Sequence, residues 1–307
     1  MAAMDFGVGV HPTPRGGTIP AMLAMNERLL AAAVEHDLSC WVIDHFQFDA
    51  QPILECYAFL AYHAGKAPGV RWGNLVLGQG YRNPALTAKI AASLQFLTGG
   101  RYILGIGAGW KEDEYRAYGY PFPSARERIG QLEDAVRICK LLWTGGPASY
   151  DGQYYQIKDA WCIPTPEPPP AIMIGGAGEQ RTLRVVAQYA DWWNADYYSP
   201  TDYARKLAIL RDHCRAVGRD ESAVVPTCYM GISISNDPAK LIRHPPVMFR
   251  PDMYVISGNP DEAAAQIEEF AAIGVRHMQL NFLDYPRTDG LELFLTEVLP
   301  RFTRAGT

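Results

Sequence analysis

The sequence has no long apolar run and no basic, apolar leader at its beginning. Its 307 residues contain no stretch near the roughly 20 apolar residues of a membrane helix, and Leu29 to Val34 is among the longest. Met1 to Asp5 lack the basic and apolar regions of a signal peptide. We therefore expect a cytoplasmic protein without a membrane partner.

Excess positive charge and paired cysteines are also missing. Lys and Arg number 28 against 33 Asp and Glu, so the net charge of −5 disfavours a broadly basic surface for nucleic acid. None of the six cysteines forms a C-x-x-C pair, and several lie in apolar stretches. This pattern favours reduced, buried thiols over a zinc site or a disulfide framework, so we expect no metal.

Short apolar strands alternate with amphipathic helices along most of the chain. The predicted strands begin near Asp5, Cys40, Val70, Tyr102, Ala171, Trp192, Val224 and His277. This alternation is typical of an α/β fold with a parallel sheet. Eight units in 307 residues fit a (β/α)8 TIM barrel better than an open sheet. Because no linker divides the chain, we expect a single domain over residues 1–307.

The alternation is interrupted between the fourth helix and the fifth strand. Residues 149–170 contain a hairpin pattern from Tyr150 to Tyr155 and five prolines after Cys162. We predict an insertion in the barrel at this point. The chemistry of such barrels lies on the loops at the carboxyl ends of the strands, so those loops are the candidate functional segments.

Two of these loops carry groups with evident chemistry. Asp44 and His45 follow the second strand, and a histidine there can act as an acid or base, or be satisfied within the barrel rim. Gly175, Gly176, Ala177 and Gly178 follow the fifth strand and precede a helix. Bare backbone N–H groups in that position suit a phosphate, although a simple tight turn is the alternative.

Alternating glycines mark the end of the fourth strand, at Gly105, Gly107 and Gly109. They match a dinucleotide-binding fingerprint only in part. That fingerprint needs an acidic residue at the end of a strand about 20 residues later, where this chain has a helix containing Arg126 and Glu127. The pattern disfavours a Rossmann domain.

The order and spacing of these motifs resemble the bacterial luciferase-like flavin and deazaflavin oxidoreductases. The most specific part runs from Tyr81 to Trp110, through a Gly-Gly-Arg turn and the glycine-rich fourth strand, and Glu114-Tyr115 continues it. The resemblance extends from about Phe6 to Gly274. It implies a barrel with an insertion and a homodimer.

The resemblance also implies a cofactor, either coenzyme F420, an 8-hydroxy-5-deazaflavin, or FMN. The chain looks more similar to the F420-dependent branch, which implies hydride transfer between F420 and a small organic substrate. An FMN-dependent monooxygenase and a non-enzymatic cofactor carrier or sensor are the alternatives. Sugar-phosphate dehydrogenases of the F420 branch carry a catalytic acid where this chain has Trp110, which disfavours sugar-phosphate oxidation.

By the same resemblance, a cis peptide at Leu75–Val76 would press on the cofactor ring. We expect His45, backed by Asp44, to deliver a proton or to polarise the substrate. Arg243, His244 and Arg250 are cations that could meet an acidic cofactor tail or substrate. The expected cofactor-binding residues are Leu75, Val76, Leu77, Gly78, Gly105, Gly107, Ala108, Gly109, Trp110, Gly175, Gly176, Ala177, Gly178 and Asn194.

Overall fold

The protein folds as a closed barrel of eight parallel strands surrounded by helices. The structure is a computed structural model that describes residues 4–14, 17–244 and 252–302. The strands are β1 (Asp5–Gly9), β2 (Ser39–Val42), β3 (Trp72–Asn74), β4 (Leu77–Gly78), β5 (Tyr102–Gly107), β6 (Ala148–Asp151), β7 (Gln156–Ala160), β8 (Ala171–Gly175), β9 (Trp192–Asp196), β10 (Val225–Ile234), β11 (Val255–Gly258) and β12 (His277–Phe282).

The helices lie between the strands, outside the barrel. They are α1 (Ile19–Glu35), α2 (Cys56–Lys66), α3 (Pro84–Leu97), α4 (Glu112–Ala117), α5 (Ala125–Leu142), α6 (Thr182–Tyr189), α7 (Pro200–Ala216), α8 (Pro260–Ile273) and α9 (Asp289–Leu293). Within the described ranges, none of them combines the length and the apolar character that a membrane span requires.

The barrel closes because the first and last of its strands pair. Around the barrel the order is β1, β2, β3, β5, β8, β9, β10, β12 and again β1, with every neighbouring pair parallel. Strands buried on both faces read as nearly continuous apolar runs, which explains why their alternation with helices was visible in the sequence. The predicted TIM barrel is confirmed.

The residues between α5 and β8 form a separate element. Strands β6 and β7 pair antiparallel, apart from the barrel sheet. Asp134 of α5 anchors them, because its carboxylate accepts hydrogen bonds from Tyr150 Oη at 2.7 Å and from Tyr154 N at 2.8 Å. Tyr155 Oη donates to Gln79 Oε1 at 3.0 Å, which ties the hairpin to the loop after β4.

Three local features differ from what the sequence pattern predicts. The pattern predicts that the second helix starts at Pro52, but it begins at Cys56, because Glu55 caps it by accepting a hydrogen bond from Ala58 N at 2.7 Å. The apolar run from Val70 to Leu77 predicts one strand, but Leu75 and Val76 separate β3 from β4. A loop is predicted over about residues 235–257, but β11 begins within it, at Val255. Arg250, in the same segment, lies outside the described residues.

Close approach between β3 and β5 makes Gly105 irreplaceable by a larger residue. A Cβ atom at this position would overlap the backbone carbonyl oxygen of Asn74. We expect Gly105→Ala to lower the free energy of unfolding by roughly 2–3 kcal/mol, because backbone cannot move aside as a side chain can. Gly65→Ala is the control, since a Cβ at this exposed position of α2 meets nothing within 4 Å.

Urea unfolding followed by circular dichroism would measure both variants. The control should gain about 0.5 kcal/mol, because alanine is the better helix former. Equal stabilities for the two variants would contradict the close approach.

Candidate active site

Four of the predicted site residues lie side by side at the carboxyl end of the barrel strands. Gly78 of β4 pairs with Gly107 of β5, which pairs with Gly175 of β8. Gly175 in turn pairs with Asn194 of β9. Segments far apart in the sequence therefore meet at one level of the barrel mouth.

A bulge between β3 and β4 rises beside this row. The peptide bond between Leu75 and Val76 is cis, as the resemblance implied. A Cβ atom at Gly107 would lie 2.9 Å from Val76 Cγ2, and one at Gly175 would lie 2.8 Å from the same atom. The two glycines therefore make room for Val76, which stays half-exposed at the mouth.

The other glycines at the end of β5 also face protein atoms rather than open space. Gly105 faces the backbone of Asn74, and Gly109, at φ +80°, lies against the hydroxyl of Tyr115. Internal packing therefore accounts for the missing side chains of Gly105, Gly107 and Gly109, and their contact with a cofactor stays a prediction. Ala108 is half-buried, and Trp110 is 52% exposed.

The loop from Gly175 to Gly178 has the geometry of an anion cradle. Gly176 has a φ of +119° that favours glycine, and its N–H donates to Asn194 O at 3.0 Å. No described residue accepts a hydrogen bond from the N–H groups of Ala177 and Gly178. Ala177 and Gly178 line a cleft of about 420 Å³, together with Ile129, residues 179–182 and Lys206.

The charge beside this cradle is mainly positive. Arg181 makes no ion pair with any described residue. Glu179 accepts hydrogen bonds from Lys206 Nζ at 2.5 Å and Arg205 Nη1 at 2.6 Å, which lower its pKa to about 2. With three cations against one carboxylate, the loop can accept a phosphate.

His45 is paired with a buried glutamate. Its Nδ1 atom lies 2.8 Å from Glu114 Oε2, and the two side chains are 14% and 0% exposed. Glu114 also accepts hydrogen bonds from Tyr81 Oη at 2.7 Å, Gln47 N at 3.0 Å and Phe46 N. Burial opposes ionisation, but the hydrogen bonds from His45 and these groups outweigh it, so the pKa of Glu114 is lowered.

This pairing leaves one ring nitrogen of His45 available. An ionised carboxylate only accepts hydrogen bonds, so Nδ1 carries the hydrogen that points to Glu114. Nε2 has no hydrogen-bond partner among the described residues. The imidazole is therefore fixed on one side and free to exchange a proton on the other.

Asp44 does not back His45, which corrects the expectation from the sequence. Its two oxygens accept from Arg82 Nη1 at 2.8 Å and Nη2 at 2.9 Å, and one of them also accepts from Gly78 N at 3.0 Å. Asp44 thus pairs with Arg82, while His45 pairs with Glu114. Asp44 holds the loop after β4 in place.

Aromatic rings surround His45. The ring of Phe48 lies 4.5 Å from it and that of Trp110 lies 5.7 Å from it, centroid to centroid.

Asn194 is buried, and its Nδ2 donates to Gln279 Oε1 at 2.8 Å and to Thr227 Oγ1 at 3.0 Å. Asn194 thus belongs to a polar network inside the barrel.

The sequence reasoning missed the roles of Glu114, Tyr81 and Phe48. Glu114 follows the glycine-rich strand in the segment that resembles the family, which was a weak signal. It could not be told apart from the two other acidic residues in the first turn of α4. Arg243 and His244 are exposed. In the part of the chain that the structure describes, no three His, Cys, Asp or Glu side chains come together in a cluster that could hold a metal ion.

Comparisons with known proteins agree with this architecture. An F420-dependent glucose-6-phosphate dehydrogenase of Kineococcus radiotolerans is 29% identical over 302 residues, covering 85% of this chain and 88% of the relative. A solved F420-dependent secondary alcohol dehydrogenase, in complex with an F420-acetone adduct, superposes with a TM-score of 0.83 at 19% identity, covering 99% of this chain and 100% of the other.

A solved monooxygenase of Streptomyces bottropensis superposes with a TM-score of 0.81 at 16% identity, covering 98% of this chain and 100% of the other. Because both solved structures are less than 20% identical to this chain, they support the fold alone. The model of a sequence family, described as luciferase-like monooxygenase, matches residues 37–245, more than half of the 307 residues. The chain therefore belongs to the luciferase-like monooxygenase family.

Proposed function

We propose that the protein is an oxidoreductase that transfers a hydride between coenzyme F420 and a small organic substrate. The observation that carries the proposal is the pairing of His45 with Glu114, which leaves Nε2 open at the barrel mouth. Reduction of a carbonyl carbon by a hydride needs a proton at the oxygen, and oxidation of an alcohol releases one, so a nitrogen that exchanges protons serves both directions.

The residues of the mouth fit a cofactor with a flat ring and a phosphate. Val76 is half-exposed on the bulge, where with Leu75 and Leu77 it would back the ring. The unpaired N–H groups of Ala177 and Gly178, with Arg181 beside them, would hold the phosphate. When bound, F420 would supply or accept the hydride.

Side chains of the protein would exchange the proton and hold the groups of the site in place. His45 Nε2 would hold or release the proton at the substrate oxygen, and Glu114 would keep the ring oriented. Asp44 and Arg82 would fix the backbone of Gly78, while Gly107 and Gly175 would seat Val76 under the ring. Trp110 would form a wall of the site, together with the neighbouring Ala108 and Gly109.

FMN shares the ring and the phosphate, so an FMN-dependent monooxygenase is the second candidate. The solved monooxygenase of similar fold favours it. F420 is preferred because similar curated proteins, among them the dehydrogenase of Kineococcus radiotolerans, are F420-dependent. A carrier or sensor would bind the cofactor without any turnover.

Titration with each cofactor tests the proposal. Because Trp110 lies at the mouth beside His45, we expect F420 to quench tryptophan fluorescence with saturation in the micromolar range, and FMN to have little effect. Saturation by FMN alone would instead direct attention to oxygen consumption. A lack of response to either cofactor would contradict both candidates.

A matched pair of variants controls this titration. Gly178→Asp should weaken F420 binding at least tenfold, because it places a carboxylate in the phosphate cradle and a Cβ atom 2.8 Å from Thr182 Oγ1. Gly146→Asp adds the same charge at a position where a Cβ meets nothing within 4 Å, and it should not change the affinity.

The proposal extends to the organisation of the protein. We propose one luciferase-like domain over residues 1–307, which is supported by a hydrophobic core that runs from Met4 to Phe302. A cytoplasmic location is supported by six free, buried cysteines. A homodimer is supported by the exposed apolar side chains of Leu86, Phe96 and Leu97 on α3.

A further inference from the structure

Tyr81 and His45 donate hydrogen bonds to the same oxygen of Glu114. The Oε2 atom of Glu114 lies 2.7 Å from Tyr81 Oη and 2.8 Å from His45 Nδ1. The other oxygen, Oε1, accepts from the backbone N–H groups of Phe46 and Gln47. A carboxylate offers about four lone-pair sites, so these four donors saturate it. The hydroxyl of Tyr81 therefore competes with the imidazole for the negative charge on Oε2.

Packing fixes the hydroxyl of Tyr81 in this position. The side chain is buried, and its ring centroid lies 4.2 Å from that of Tyr115. The next residue along the chain, Arg82, is held by two hydrogen bonds to the carboxylate of Asp44. Both the ring and the backbone of Tyr81 are therefore held, and the hydroxyl stays on Glu114.

Tyr81 remains a hydrogen-bond donor over the pH range in which histidines titrate. Burial and the hydrogen bond to Glu114 raise the pKa of Tyr81 well above the ordinary value for a tyrosine. Loss of its proton would place a second negative charge next to the buried carboxylate. The hydrogen bond from Tyr81 to Glu114 thus persists whether the imidazole of His45 is neutral or charged.

Within the described residues, Glu114 is the charged group that contacts the imidazole of His45. The other charged residues of segments 44–49 and 111–117 are paired or exposed, namely Asp44 with Arg82, Lys111 with Asp113, Glu112 with Arg116, and the exposed Asp49. The negative charge on Glu114 Oε2 is therefore the main electrostatic influence on the imidazole, and Tyr81 decides how much of it is available.

We propose that Tyr81 is a positioning residue that makes His45 less basic by acting through Glu114. Because its hydroxyl shares Oε2, the carboxylate holds the protonated imidazole less strongly than it would without the hydroxyl. The protonated ring is then the stronger acid at Nε2. The use of this acid in catalysis rests on the proposed function, whereas the effect on the imidazole is a property of the protein without cofactor.

Nuclear magnetic resonance of the 307-residue chain with carbon-13-labelled histidine measures this effect. The chain has seven histidines, and the signal that disappears in His45→Gln identifies His45. We expect Tyr81→Phe to raise the midpoint of the His45 titration by roughly 0.5–1 pH unit, because the carboxylate then acts on the imidazole without competition. An unchanged or lower midpoint would overturn the proposal.

Tyr118→Phe is the matched control for this titration. It removes the same atom from a ring that lies 4.8 Å from the ring of Phe46, centroid to centroid. The hydroxyl of Tyr118 donates to Phe46 O at 3.3 Å and not to Glu114, so the midpoint of His45 should not change. Equal shifts in Tyr81→Phe and Tyr118→Phe would reveal a general effect of the aromatic rings and would also overturn the proposal.

A change of the carboxylate tests whether Glu114 carries the effect. Glu114→Gln removes the negative charge and should lower the midpoint of His45 by about 1 pH unit or more. Adding Tyr81→Phe to this variant should have little further effect, because no carboxylate is left to share. A shift of the same size with and without the carboxylate would contradict the route through Glu114. If Glu114→Gln does not fold, the comparison of Tyr81→Phe with Tyr118→Phe decides alone.

These titrations need neither F420 nor a substrate, so they separate this inference from the proposed function. If F420 does not bind, the proposed function is rejected and the effect of Tyr81 on His45 stands. If Tyr81→Phe leaves the midpoint unchanged while F420 binds, the role of Tyr81 is rejected and the proposed function stands.

Discussion

Replacing His45 with Gln is expected to lower kcat about 100-fold or more, while the dissociation constant for F420 stays within about twofold. General acid–base catalysis by a positioned side chain is worth roughly 10²–10⁴ in rate. The amide of Gln cannot exchange a proton near neutral pH. Glu114 keeps its other donors, Tyr81 Oη and the N–H groups of Phe46 and Gln47, so the surroundings should stay folded.

Steady-state kinetics with reduced F420 and a ketone, alongside a fluorescence titration, would measure the two quantities separately. His36→Gln is the control, because His36 follows α1 and its imidazole has one ion-pair contact recorded within the described ranges, with the exposed Glu35 at 3.9 Å. Retention of more than a third of kcat in His45→Gln would show that the proton comes from another group.

Arg82→Met is expected to lower the free energy of unfolding by about 3–5 kcal/mol. The side chains of Arg82 and Asp44 are 11% and 0% exposed, and they share two hydrogen bonds. Removing one partner leaves a buried carboxylate without its counter-ion, which costs more than the pair itself contributed. The midpoint of urea unfolding should therefore fall, with little change in the slope.

Two further variants test the reason for this loss. Adding Asp44→Asn to Arg82→Met should restore much of the stability, because no buried charge then remains. Arg116→Met removes an exposed partner of Glu112 and should cost about half a kcal/mol or less, since the two side chains are 70% and 50% exposed. Equal losses for Arg82→Met and Arg116→Met would contradict the buried pair.

The barrel could be predicted from the sequence because each strand and helix has its own local pattern. The spacing of apolar residues in α3 and the proline at the start of α8 are examples. The break between β3 and β4 had no such signal, and the resemblance alone pointed to Leu75 and Val76. The short strand β11 pairs with β10 outside the ring of eight strands, so the alternation that predicted the barrel did not require it.

The partners within the site were harder to predict, because they depend on distance in space rather than in sequence. Asp44 is adjacent to His45 in the chain, yet the imidazole pairs with Glu114, 69 residues away. Which of the three acidic residues in α4 turns inward is decided by how the helix packs over the mouth. No local pattern encodes that rotation. The glycines before α6, in contrast, were visible in the sequence, and they predict a phosphate cradle.

The contact of Val76 with Gly107 and Gly175 makes the effects of mutations at these positions depend on one another. A side chain at either glycine would collide with the branched methyl groups of Val76, so such a change is harmful while Val76 is present. After Val76→Ala, the same change would meet less resistance. Related sequences should therefore vary at these positions together, and saturation mutagenesis of one position alone would underestimate the variants that the barrel accepts.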